Sequence, residues 1–173
     1  GTLIDSYPAI AASVNFLRER YGQPPLTVDQ VRRFVGRGPE YLLRNTVPGA
    51  AWPADWEIYR RHHPTVMRPL TQLLPGAGEV LSALKARGFT LGICSNKPRL
   101  FTQDLLDYLK VAELFAVVIG PEDVPRPKPA PDMLLTSEPR CVARKGGTAR
   151  ASATFGFLDN VAGTLRCAVR RVL

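Results

Sequence analysis

No stretch of the 173 residues is apolar for long enough to cross a bilayer. The opening residues have neither a basic start nor a cleavable apolar core, so no signal peptide is expected. Cysteine is scarce. Cys94, Cys141 and Cys167 are an odd number without metal-ligand spacing, which excludes a disulfide framework and fits a reducing, cytoplasmic setting. Histidine is scarcer still. His62 and His63 are adjacent, so on a helix they point to different faces, which argues against a shared metal site and for a surface role.

The charge is uneven. The net value of +8 divides into +3 over residues 1–135 and +5 over residues 136–173. A basic tail can bind nucleic acid. Here the arginines have no interleaved aromatic platform and no nucleic-acid motif, so a solvated or abnormal C-terminus is the better reading. A basic nucleic-acid-binding module remains the alternative from another functional class, with a steep salt dependence as its mark.

What is present is organised around Thr90–Pro98. Leu91, Ile93 and Cys94 form a short apolar run that stops at Ser95-Asn96-Lys97-Pro98. This is the pattern of a buried parallel strand delivering polar side chains to its C-terminal edge. In open α/β sheets ligands sit at that edge. A hydroxyl, an amide and the free N–H groups of a following helix suit a phosphate. A serine that merely caps the helix is the competing reading. Cys94 reads as a small core residue.

On either side, the spacing of apolar residues gives two regimes. From Tyr7 to Arg68 there are several short helices and no strand. Ile10, Val14 and Leu17 share a helix face, and Thr27 with Gln30 makes a capping box ahead of Val28 and Val31. Pro39 opens the next helix after Gly36-Arg37-Gly38, and Pro53 opens another carrying Trp56, Tyr59 and Met67. From Leu74 onward the order is helix, strand, helix, strand (Phe115–Gly120), a loop with five prolines over Pro121–Pro131, and a helix starting at Asp132. That alternation predicts a doubly wound parallel sheet. After Thr136 the periodicity fails, and only Phe155–Asp159 reads as a further strand, ending in an acid.

Three blocks in order resemble the haloacid dehalogenase-like phosphohydrolases, and among them the phosphoglycolate phosphatase group. Gly1-Thr2-Leu3-Ile4-Asp5-Ser6 is similar to the end of the first family motif, D-x-D-G-T-L-x-D-S. Ile93-Cys94-Ser95-Asn96-Lys97-Pro98 resembles the second, and Pro125–Asp132 the third, built on Lys128. Leu74–Leu81 and Val35–Leu43 resemble the connecting helix and the cap of this subgroup.

The resemblance implies an α/β fold: a three-layer Rossmann-like core with a parallel sheet, residues 1–6 and 69–173, and an inserted helical cap, residues 7–68. It implies a magnesium-dependent phosphatase of small phosphorylated metabolites, most simply 2-phosphoglycolate, acting through an aspartyl-phosphate. Other capped hydrolases of the superfamily and an inactive fragment are the alternatives. Ser95 and Lys128 are the implied catalytic residues. Ser95, Asn96 (through its backbone N–H) and Lys128 would grip the phosphate, and Arg37 in the cap loop would reach the substrate. Asp159 stands nearest the fourth motif's magnesium ligands, with Gly163 where a second acid belongs. Two departures follow. The family's nucleophile and acid–base Asp precede the Gly-Thr-Leu block, so the opening reads as a cut end and the chain as inactive. Residues 136–173 read as a frame-slip product or a divergent tail, with aggregation as the consequence of an uncovered sheet edge.

Overall fold

The computed structural model describes residues 2–143, 154–161 and 164–171, with side chains through residue 137. Helices dominate its first half. α1 (Tyr7–Arg20), α2 (Val28–Arg32), α3 (Pro39–Thr46) and α4 (Ala54–Met67) follow one another without a strand. The local signals explain their ends. Thr27 Oγ1 accepts from Gln30 N at 3.2 Å while Gln30 Oε1 accepts from Thr27 N at 2.8 Å, the reciprocal capping box that starts α2. Pro39 occupies the first turn of α3, where its missing N–H costs nothing.

These helices bury one shared core. Val14, Leu17, Val31 and Val47 are fully shielded from solvent, and Leu43 and Tyr59 nearly so. Each large aliphatic side chain so placed contributes roughly 1.5–3 kcal/mol. Arg18 threads through the same region without a carboxylate partner among the described residues. Its guanidinium donates to Pro24 O at 2.7 Å and to Thr46 O, fastening α1 to the end of α3.

The helical segment begins and ends at neighbouring backbone positions. β1 (Ile4–Asp5) pairs antiparallel with β2 (Gln72–Leu73), and Leu74 N donates to Leu3 O at 2.8 Å. Beyond it lie α5 (Ala77–Ala86), β3 (Leu91–Cys94), α6 (Arg99–Tyr108), β4 (Phe115–Ile119) and α7 (Asp132–Ala143). β3 and β4 pair in parallel, with Cys94 opposite Ile119. The expected α/β alternation is therefore present, and both strands end at the same edge. Cys94 belongs to the core as expected, half-buried beside Val117, Ile119 and Met133.

A second apolar cluster joins the two halves. Ala9, Met67, Phe101 and Leu105 are buried together, so α1, α4 and α6 meet there. From just before α4 into its first turns the aromatic rings of Trp52, Trp56 and Tyr59 stack in series, with centroids 6.1 and 5.6 Å apart. Trp56 then meets Phe101 of α6 edge-on at 6.2 Å. At the end of α4 the Arg68 guanidinium grips both carboxylate oxygens of Asp104 of α6 through Nε and Nη2.

Two expectations about the C-terminal part are corrected. Helical order does not stop at Thr136. α7 continues to Ala143, past Pro139, which has no N–H to offer the Leu135 carbonyl and so masks the helix in the sequence. The strand expected over Phe155–Asp159 exists as β5 (Thr154–Val161). Among the described residues it pairs with β6 (Thr164–Arg171) as an antiparallel hairpin and adds nothing to the parallel pair. No helix among the described residues is long and apolar enough to cross a membrane.

Candidate active site

The common edge of β3 and β4 gathers the polar residues. Ser95 N donates to Ile119 O at 3.0 Å, which extends the ladder one rung past β3. The chain then turns into α6. Ser95 does not cap that helix, because the N-cap position belongs to Pro98. Instead its Oγ accepts from Lys97 N at 3.0 Å, closing a tight turn. The hydroxyl proton remains available to donate.

Asn96 is 9% exposed and its amide is fully used. Oδ1 accepts from Lys128 N at 3.0 Å, and Nδ2 donates to Lys128 O at 2.8 Å. The second Nδ2 proton goes to Gly36 O at 2.7 Å. One side chain therefore joins three places far apart in sequence: the turn after β3, the proline-rich loop after β4, and the Gly36-Arg37 loop between α2 and α3. Both donors and the acceptor are satisfied, so the amide has one orientation. The sequence suggested that Asn96 binds an anion, through its amide or its backbone N–H. The side chain is what assembles the edge.

Lys128 keeps an exposed side chain next to that backbone anchor. Its charge is felt at Cys94, the last residue of β3. Burial pushes the Cys94 thiol up, while the Ser137 hydrogen bond and the Lys128 ammonium act the other way. Beside the loop, Gly120 lets α6 come close. A Cβ there would lie 2.8 Å from Arg99 N, which already donates to Glu122 Oε1 at 2.7 Å.

Arg37 is exposed. Its guanidinium lies over the Tyr41 ring at 5.0 Å and donates to Tyr41 Oη at 3.4 Å, one residue from the Gly36 carbonyl held by Asn96. Asp159 lies in β5 opposite Arg166, and its side chain is outside the described residues. Asp5 is occupied locally, with Oδ1 accepting from Tyr7 N at 3.1 Å at the start of α1. Among the described residues no group of three or more His, Cys, Asp or Glu is disposed to hold a metal ion. The described residues therefore do not by themselves fit a magnesium site.

The histidine pair is not at the surface as expected. His63 is 1% exposed, with Nδ1 2.9 Å from Ser13 Oγ of α1 and its ring 5.2 Å from Phe101. His62 is partly buried and stacks on Phe16 at 4.0 Å. Burial above all, then the charges of Lys97 and His62, holds the His63 imidazole down to about 3. An unfolded chain protonates the same ring near pH 6.5. Between those values the unfolded state binds the extra proton, so stability falls as pH drops through that window. Urea midpoints taken from pH 7.5 down to pH 4.5 are expected to decline steadily, and His63→Phe should flatten the decline. Asp132, whose carboxyl the Arg126 guanidinium holds below its usual range, adds its own loss only at lower pH.

A parallel strand pair ending in a serine turn and a lysine loop, bracketed by an inserted helical segment, is an arrangement with known relatives. The profile described as haloacid dehalogenase-like hydrolase matches residues 1–144. The chain belongs to that family. Within it the similarities run to phosphoglycolate phosphatases. Phosphoglycolate phosphatase 1 of Pseudomonas aeruginosa is 32% identical over 148 residues, covering 78% of this chain and 53% of that protein. The phosphoglycolate phosphatase of Escherichia coli K12 is 32% identical over 159 residues, covering 78% and 63%. The crystal structure of a predicted phosphoglycolate phosphatase from Haemophilus somnus superposes with a TM-score of 0.70 at 25% identity, covering 84% of this chain and 68% of that one. The chain thus spans about half the length of the Pseudomonas relative.

Proposed function

We propose that this chain carries the phosphate-gripping edge and the cap of a phosphatase acting on small phosphorylated metabolites, with 2-phosphoglycolate the favoured substrate. The observation that carries this reading is the Asn96 amide, which binds the serine turn to the Lys128 backbone. The names of the relatives support the substrate.

In this reading the Ser95 hydroxyl donates to a phosphoryl oxygen, and the Asn96 N–H adds a second contact. The Lys128 ammonium neutralises charge that builds on the transferring group. Residues 1–6 and 69–173 are the core, and residues 7–68 form the cap that excludes water and selects the substrate. Arg37, on the loop that Asn96 holds by Gly36, reaches toward the substrate from the cap side. The attacking carboxylate is the first Asp of the D-x-D that precedes Gly-Thr-Leu in the family. It forms the aspartyl-phosphate as the ester bond breaks, the second Asp protonates the departing alkoxide, and water then releases phosphate.

Binding tests the reading without turnover. Calorimetric titration of the 173-residue chain with inorganic phosphate is expected to show one site. Ser95→Ala and Lys128→Met should each weaken it by about tenfold or more, the scale of a charge-assisted hydrogen bond. Unchanged binding in both variants, or tight salt-sensitive binding to DNA with none to phosphate, would overturn it.

A further inference from the structure

Away from the phosphate edge, the groove between α1 and α4 gathers charged groups without partners. Two cavities adjoin there. One, of about 400 Å³, is lined by Arg20, Tyr21, Asp55 and Ile58. The other, of about 350 Å³, is lined by Phe16, Arg20, Ile58, Arg61 and His62. Arg20 and Ile58 belong to both, so the two form one groove. Asp55 stands at one end and Arg61 at the other, about 9 Å apart along the axis of α4.

The Asp55 end is built rather than incidental. Asp55 is 4% exposed. Its Oδ2 accepts from Tyr21 Oη at 2.7 Å and from Ala51 N at 2.6 Å, which fixes the carboxylate in place. Its Oδ1 accepts from no donor among the described residues, and it is not sealed from solvent, so it opens on the cavity that Asp55 lines. A carboxylate oxygen so nearly buried calls for a donor. Arg20 lines the same cavity, yet neither it nor Arg61 pairs with a carboxylate among the described residues. Between the charges the wall is apolar. Ile58 lies in the middle, and Phe16 stacks on His62 at 4.0 Å toward the Arg61 end.

The groove thus offers one anionic acceptor followed by two cations. Its complement is an ammonium followed by two carboxylates on a short aliphatic chain. An α-amino acid sets an ammonium and a carboxylate on one carbon, to match Asp55 and Arg20 in one cavity. An acidic side chain carries a second carboxylate along Ile58 to Arg61. The geometry points to a binding site for a free acidic amino acid in the α1–α4 groove. A simple anion would leave Asp55 unmatched and meet its charge, and a neutral amino acid would leave Arg61 unmatched. The site shares no residue with the Ser95–Lys128 edge and does not depend on the phosphatase reading.

Calorimetry on the 173-residue chain tests it with L-glutamate, glutarate, which lacks the ammonium, and L-glutamine, which lacks the second carboxylate. L-Glutamate is expected to bind at one site, with glutarate and L-glutamine each about tenfold weaker, the increment of one charge-assisted contact. Arg61→Gln should bring L-glutamate down to the level of L-glutamine while leaving L-glutamine within about twofold of its parent value. Asp55→Asn keeps an oxygen for Tyr21 and Ala51 and should erase the advantage of L-glutamate over glutarate, with an unchanged thermal midpoint as the check on folding. If that variant fails to fold, the comparison of L-glutamate with glutarate in the parent chain decides the role of the carboxylate. Ser95→Ala should leave L-glutamate binding unchanged. No binding of L-glutamate, equal binding of glutarate to the parent, or displacement of L-glutamate by inorganic phosphate would overturn the inference.

Discussion

Extending the chain with Asp-x-Asp ahead of Gly1 is expected to raise phosphate release from 2-phosphoglycolate by about four orders of magnitude over the 173 residues alone, the scale set by an attacking group. Among the described residues, several acidic side chains are already engaged. Asp5 spends an oxygen on Tyr7 N. Glu122 accepts from Arg99 N, and Asp123 accepts from Gly120 N while pairing with Arg99. Asp132 is gripped by Arg126 through both oxygens. Each of these carboxylates is already committed to holding a loop or a helix end. An Asn-x-Asn extension of the same length is the control and should stay at background. Brisk turnover by the unextended chain would sink the aspartyl-phosphate assignment.

The second large effect is expected at Asn96. Asn96→Ala removes three hydrogen bonds from a buried position and leaves the Lys128 N–H and C=O without their partners. At about 1 kcal/mol for each bond, plus the penalty for groups left dry, the loss should be roughly 2–4 kcal/mol in urea unfolding. Phosphate affinity should fall with it, because the loop that carries Lys128 loses its fixed distance from the serine turn. Asn96→Asp is the sharper variant. A carboxylate still accepts from Lys128 N but has no proton for the two carbonyls, so it should be no better than alanine. A variant at Asn96 that keeps both stability and phosphate binding would show that the amide is incidental.

How far the sequence could be read follows from the range of each interaction. The capping box at Thr27 and the end of β3 at Cys94 depend on residues within a few positions of one another, and both are where the pattern put them. The Asn96 amide was not legible as a clamp, since its partners lie 32 and 60 residues away and are backbone atoms with no side-chain signature. His63 was misread for a related reason. Adjacent histidines do point to different faces, but which face is covered depends on α1 and α6, and no local pattern states that. Pro139 hid the last turns of α7, and the pairing of β5 with β6 is again a choice between partners that strand-forming residues alone do not make.

The stacked rings of α4 have one further consequence. Trp52 and Trp56 are the chain's whole complement of tryptophan. Both belong to the series that ends against Phe101, the ring that also touches His63. The intrinsic emission of the protein therefore originates almost at the seam between the helical insertion and the helix that follows the serine turn. An optical signal from this chain is local by construction. It reports the packing at that seam, and it does so without a label attached anywhere.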